Sequence, residues 1–292
     1  MRIAIYGRSL RKGFEDNVND LLKMISDRKL GVIMYKPFFD FLLKETKSRP
    51  KADGFFETHE ELRGNADYMF SIGGDGTFLD SVLIVRDSGI PIIGINTGRL
   101  GFLANVSPDE AETSLEAIVD KNFTIERRSL AQLIYEGAEP GMFSYALNEV
   151  SIQKQFSSMI TIHTYLNECY LNSYWADGLI ISTPTGSTAY SLSVGGPIIS
   201  PESNTFIISP LAPHNLTIRP VVVPDTAVIK LKVDAQEQEV KLTLDSRSIL
   251  CPTGTDIMIR KADFTIKTVR LKNNTFYDTL RNKLMWGVDK RN

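Results

Sequence analysis

Residues 68–86 read Tyr-Met-Phe-Ser-Ile-Gly-Gly-Asp-Gly-Thr-Phe-Leu-Asp-Ser-Val-Leu-Ile-Val-Arg. The apolar run Tyr68–Ile72 predicts a strand, residues 73–76 a glycine turn, and Thr77 to Arg86 a helix. A strand that passes through glycine directly into a helix is the unit from which α/β domains are built. The same alternation extends to both sides. Upstream, Ile3–Tyr6 predicts a strand, and Val18, Leu21, Leu22 and Ile25 recur with helical spacing. Val32–Tyr35 reads as a second strand and Pro37 opens an aromatic-rich helix, whereas 48–64 is polar and reads as a loop. Downstream, Pro91–Ile95 is a short buried strand; Ser107, Pro108 and Glu110 then give a helix start signal with a capping box. These features predict a Rossmann-like parallel sheet with helices on both faces over residues 1–122.

Beyond residue 122 the period changes. Leu130–Tyr135, Met159–Tyr165 and Gly178–Ser182 are β-like runs, and Ala227, Ile229, Leu231, Val233, then Val240, Leu242, Leu244, alternate strictly. Proline and glycine punctuate them, which predicts an all-β sandwich over 123–270. Phe276, Leu280 and Leu284 share one face of a helical tail, 271–292, expected to pack back on the first domain.

Composition excludes some classes of function. The 292 residues are 42% hydrophobic and 23% charged with a net charge of −2, which rules out disorder and argues against nucleic-acid binding through a strong overall positive field. Cys169 and Cys251 form no disulfide framework and no zinc spacing, and read as reduced thiols. No apolar run approaches the ~18–20 residues needed to cross a bilayer, and the opening MRIAIYG is too short for a signal peptide. The expectation is a cytoplasmic protein without a nucleic-acid or membrane partner.

Four stretches carry chemistry. Gly73-Gly74-Asp75-Gly76-Thr77 has the glycines for close approach to an anion and a helix N-terminus behind them. An ordinary βα turn would use the same glycines, but Asp75 is out of place beside phosphate unless it meets a cation or takes a proton. Residues 182–197 contain many hydroxyls and no charge, with Tyr190 offering a ring for base stacking; a helix-capping turn is the plainer reading. Asn148-Glu149 could hold a ribose diol only where its strand, Tyr145–Ile152, ends or bulges, because neighbouring strand residues face opposite ways; otherwise it is a polar pair on a strand edge. The loop Asn96–Leu103 follows the strand at 91–95 and falls at the carboxyl edge of the sheet, beside 73–77. His214 reads as structural, and the charged run Asp234–Lys241 as a solvated hairpin end.

Taken together, these residues resemble the NAD kinase family: GGDGT at 73–77, NTGRLGFL at 96–103, Asn148-Glu149, DGLIISTPTGSTAYSLSVGGPIISP at 177–201, PLAPHNLTIRPVVVP at 210–224 and FYDTLRNKLMWG at 276–287. GGDGT is shared with diacylglycerol-type lipid kinases, whereas the TPTGSTAYSLSVGGP run is specific to NAD kinases. The resemblance implies an α/β domain plus β-sandwich, and transfer of phosphate from ATP, with Mg²⁺ or another divalent cation, to the 2′-hydroxyl of the adenosine ribose of NAD. It implies Asp75 as the base, with Gly73, Gly74, Gly76 and Thr77 holding phosphates and Asn148 and Glu149 the ribose. Thr188, Ala189 and Tyr190, with Ser191, Leu192 and Ser193 behind them, would line base pockets, and Asp177 and Ala212 would lie near the nicotinamide end. A homodimer or homotetramer is implied as well. Asp80, Trp175 and Arg247 depart from the family pattern and carry no role over.

Three rival functions differ in what they require. A lipid kinase sharing the GGDGT domain would leave the hydroxyl-rich run unexplained, and no basic amphipathic helix for a membrane is evident. A sugar-phosphate kinase would want an Arg/Lys cluster, and none is evident near the motifs. A non-catalytic NAD-binding regulator would gain nothing from Asp75.

Overall fold

The computed structural model describes residues 1–11, 13–46, 50–98, 101–272 and 275–286. The chain forms two compact units: Met1–Arg127 with Ile266 onward, and Arg128–Thr265. The first therefore takes back the end of the chain.

In the first unit the elements are β1 (Arg2–Gly7), α1 (Glu15–Asp27), β2 (Gly31–Tyr35), α2 (Lys36–Glu45), β3 (Gly54–Phe56), α3 (His59–Leu62), β4 (Tyr68–Gly73), α4 (Asp75–Val85), β5 (Ile92–Asn96) and α5 (Ala111–Val119). The parallel strands lie in the order β5-β4-β1-β2-β3. The spacing read from α1 is the face it buries, Val18, Leu21, Leu22 and Ile25, against Ile3, Ile5, Phe70 and Ile72 of the central strands. Full burial of each such side chain contributes roughly 1.5–3 kcal/mol.

The expected loop over 48–64 is corrected in part: β3 pairs with β2 in parallel, and α3 follows it. Residues 48–49 of that stretch lie outside the described residues. Elements of three and four residues leave no measurable hydrophobic period. They are held by single features instead: Phe56 is buried, and Thr58 and Glu61 cap α3 reciprocally. The helix expected from Thr77 begins two residues earlier, at Asp75, because Gly74 is its extended N-cap. The start signal at Ser107 opens one turn of 3₁₀ helix, Pro108–Glu110, before α5.

The second unit begins within the long strand β6 (Phe123–Tyr135), which carries the chain out of the first. It continues through β7 (Tyr145–Ala146), β8 (Glu149–Gln153), β9 (Ile160–Leu166), β10 (Cys169–Ala176), β11 (Gly178–Ser182), α6 (Tyr190–Ser193), β12 (Thr205–Leu211), β13 (Val221–Pro224), β14 (Ile229–Asp234), β15 (Glu239–Leu244), β16 (Arg247–Pro252) and β17 (Ile257–Leu271). One antiparallel sheet runs β13-β12-β11-β8-β15-β16, and β10-β9-β14-β17 forms the opposing layer. Their inward faces share one core, including Ile152, Ile162, Leu179, Phe206, Leu231 and Leu242. This is the antiparallel sandwich that the alternation predicts. The single strand expected over Tyr145–Ile152 is broken at Leu147-Asn148.

The last part of β17 returns to the first unit, where Thr268 pairs with Ile92. Helix α7 (Phe276–Leu284) follows, with Leu280 and Thr279 buried and Thr275 as its cap. Residues 287–292 lie outside the described residues, as do Arg99 and Leu100 of the 96–103 loop.

Candidate active site

In the first unit the glycine loop crosses the carboxyl end of β4. Gly73 has φ +156°, and a Cβ there would fall 2.2 Å from Thr77 Oγ1, so the turn is closed to any larger residue. Gly74 and Gly76 instead face open space, with no atom within 4 Å of a built Cβ. The first intrahelical bond of α4 runs from Phe78 N–H to the Gly74 carbonyl at 3.1 Å, which leaves the earlier amides of the turn directed past the helix end.

Asp75, half-buried at the start of α4, does not hang free in this loop. Its Oδ2 accepts the N–H of Phe102 at 2.9 Å, and its Oδ1 accepts those of Leu103 at 3.0 Å and Ala104 at 2.9 Å. Residues 102–104 are thus gathered on the carboxylate, and they are anchored in turn by Asn96, whose Nδ2 donates to the Ala104 carbonyl at 3.2 Å. Lys283 of α7 places its ammonium 5.8 Å from the Phe102 ring centre.

Two cations join this edge that sequence reasoning missed. Arg8 follows directly on β1, the neighbour of β4, and its Nε lies 2.9 Å from Oδ2 of buried Asp80. Arg11 lies near the loop, its Nη1 3.9 Å from where a Cβ on Gly98 would be. Both stand more than sixty residues from the glycine loop in sequence. The parallel pairing of β1 with β4 brings the end of β1 beside the glycine loop.

In the second unit the structure brings Asn148, Glu149 and the hydroxyl-rich run together. Glu149 is paired with Ser182 across β8 and β11, and the Asn148 carbonyl accepts the N–H of Thr183 at 2.9 Å. Gly186 packs so closely that a Cβ would fall 2.1 Å from the Asn148 carbonyl oxygen. The Tyr190 backbone N–H reaches the Glu149 carboxylate, while Glu149 Oε2 is buried with no partner among the described residues. Such an orphaned acceptor is costly in a folded protein unless a ligand completes it. Burial, and next the neighbouring Asp245, push the Glu149 carboxyl up to about 8.

Thr188, Ala189 and Tyr190 are half-buried beside this pair. Ser191 is fully buried and bonds Ser209 Oγ at 3.1 Å, and the Ser193 hydroxyl donates to the Tyr190 carbonyl at 2.7 Å. Leu192 lies half-buried between them. These two hydroxyls therefore shape the turn that carries Tyr190.

Asp177 and Ala212 form a separate neighbourhood. Asp177 N–H donates to the Leu211 carbonyl at 3.0 Å, and its carboxylate meets Lys154 Nζ at 2.5 Å. Ala212 adopts a left-handed φ of +44°, and His214 N–H bonds the Trp175 carbonyl at 2.9 Å with the two rings 4.3 Å apart. Trp175 and His214, both exposed, pack against one another here. Arg247, also without an assigned role, donates to the carbonyls of Phe143 and Tyr145.

Comparison with known proteins bears on both halves. The ATP-NAD kinase N-terminal domain family matches residues 3–123 and the ATP-NAD kinase C-terminal domain family residues 147–271. A NAD kinase of Flavobacterium psychrophilum is 45% identical over 295 residues, covering all of both chains. One from Bacteroides fragilis is 45% identical over 292 residues, again over the full length of both. Among solved structures, an Archaeoglobus fulgidus NAD kinase in complex with ATP is 28% identical with a TM-score of 0.75, covering 98% of this chain and 99% of that one. A yeast NADH kinase complexed with NADH shares the fold at a TM-score of 0.87 and 21% identity, over 99% of this chain and 89% of that one. With an α/β unit built around GGDGT and a β-sandwich built around Asn148-Glu149, and with both matched along their length, the chain belongs to the NAD kinase family.

Proposed function

We propose that the chain transfers the γ-phosphoryl group of ATP to the 2′-hydroxyl of the adenosine ribose of NAD, giving NADP and ADP. The observation that carries this reading is the fixed carboxylate of Asp75, held by three amides at the head of α4 between two glycines that face open space. Open glycine backbone and a helix N-terminus suit the donor phosphates, and a carboxylate in their midst suits proton removal.

In the reaction, Asp75 takes the proton as the ribose oxygen bonds to the γ-phosphorus and the bond to the ADP oxygen breaks. Phosphoryl transfer asks little covalent chemistry of a protein, so positioning and charge neutralisation dominate. Arg8 and Arg11 supply positive charge at the phosphate edge. Among the described residues no group of three or more His, Cys, Asp or Glu is arranged to hold a metal. A divalent cation brought with ATP would neutralise charge on the donor phosphates. Asn148 and Glu149 hold the ribose diol, and the buried free oxygen of Glu149 is the acceptor a hydroxyl would complete. Thr188, Ala189 and Tyr190, with Ser191 to Ser193 behind them, line the base pockets, and Asp177 and Ala212 lie toward the nicotinamide end.

A lipid kinase reading is not favoured, because the C-terminal family match covers the sandwich that such a reading leaves without a purpose. Among the described residues no helix is long and apolar enough to cross a membrane. The resemblance further supports a cytoplasmic homodimer or homotetramer, which fractionation and sedimentation would measure. The deciding experiment offers purified protein MgATP with NAD, NADH or diacylglycerol as acceptor, and polyphosphate as a second donor. NADP formation is expected; phosphorylation of the lipid alone would overturn the assignment.

A further inference from the structure

The turn between β15 and β16 reaches the break in the β7–β8 strand with its carboxylate. Oδ1 of Asp245 accepts the N–H of Asn148 at 2.7 Å and of Glu149 at 3.2 Å, and Oδ2 accepts that of Leu147 at 2.9 Å. Asp245 N–H also donates to the Glu149 carbonyl at 3.0 Å. Two residues along, Arg247 donates to the carbonyls of Phe143 and Tyr145, just upstream of the break. A regular strand sends alternate amides in opposite directions, so three successive N–H groups cannot converge on one acceptor unless the strand is broken. The carboxylate thus defines the break. Asp245 itself sits at φ +52°, a conformation that glycine adopts more readily. Glycine there would ease the backbone but provide no acceptor.

We propose that Asp245 is a positioning residue for the nucleotide substrate: by gathering the amides of 147–149 it fixes Asn148 and Glu149 so that both can serve one ribose diol. This rests on the ribose role assigned to that pair above. Asp245 touches no substrate in this scheme and acts through the backbone of its neighbours.

The test is a steady-state comparison of wild type, D245G, D245N, E149Q and the double variant D245G/E149Q. D245G suits the left-handed turn, so a folded protein is expected, and melting curves report it. With three amides left without their acceptor, KM for NAD should rise about tenfold or more while KM for ATP stays within about twofold. D245N keeps one acceptor oxygen and should fall between. The double variant should be no worse than the poorer single variant, because both act on one contact. Should E149Q leave KM for NAD unchanged, the ribose reading itself fails. If E149Q raises it but D245G does not, or the two effects simply multiply, Asp245 is not positioning Glu149 and the inference is overturned. If D245G fails to fold, D245N decides by the same criterion: equal changes in both KM values would mark a merely structural residue.

Discussion

A Cβ built on Gly101 would fall 1.9 Å from Oδ1 of Asp75. The loop can deliver its three amides to the carboxylate only because nothing projects from residue 101. Gly101→Ala must therefore push the Asp75 side chain off its amides or lift the loop. Since the proposed base is what moves, kcat should fall about 10- to 100-fold. KM for NAD and the melting temperature should change little. A variant with wild-type kcat would show that the amide contacts do not set the position of Asp75.

Asp75→Asn tests the proton transfer itself. The substitution keeps the size of the side chain but cannot take a proton, and it turns an NH₂ group toward backbone N–H groups. NADP formation should drop by about 10²–10⁴-fold. NAD binding, followed by calorimetry, should remain measurable. Unchanged turnover would remove Asp75 as the base and leave it as a tether for residues 102–104.

These two sites differ in how far the sequence revealed them. The face of α1 was legible because four apolar residues recur at helical spacing, and the sandwich because its strands alternate. The glycine loop was legible because glycine and a misplaced carboxylate have few explanations. The sequence also showed that Asn148 and Glu149 could share a ligand only at a strand break, but not what makes the break. Asp245 lies almost a hundred residues away, and no local pattern links it to 147–149. Arg8 was hidden for the same reason, being joined to the loop only by the β1–β4 pairing. Short elements such as β3 and α3 rest on one buried ring and one cap, which leave no period to read.

The Glu149 carboxyl, pushed up to about 8 by burial and by Asp245, is protonated in most free molecules at neutral pH. The Tyr190 N–H, which favours the ionised form, opposes that rise only in part. A ribose diol that donates two hydrogen bonds favours the ionised carboxylate, so NAD binding below pH 8 must release a proton. The sign follows: affinity for NAD rises as pH increases toward about 8 and levels off above it. Calorimetry in buffers of different ionisation enthalpy should detect the proton released near pH 7. E149Q should abolish that release; if it persists, another group titrates.

Arg8 predicts the complementary behaviour at the donor end. Its guanidinium is fixed by Asp80 yet largely open to solvent, at the strand end next to the one that carries Gly73. A cation so placed attracts phosphate across water, an interaction that salt screens over about 10 Å at 0.1 M ionic strength. Arg8→Ala should raise KM for ATP several-fold, on the order of the 0.5–1 kcal/mol that an exposed charge contributes, and leave KM for NAD unchanged. Arg8→Lys should restore much of the loss, because charge rather than fork geometry is at issue. The gap between wild type and Arg8→Ala should close as KCl is raised toward 0.5 M. A gap independent of salt would mean that Arg8 acts by holding Asp80 in place, and the same measurements on Asp80→Asn would then reproduce it.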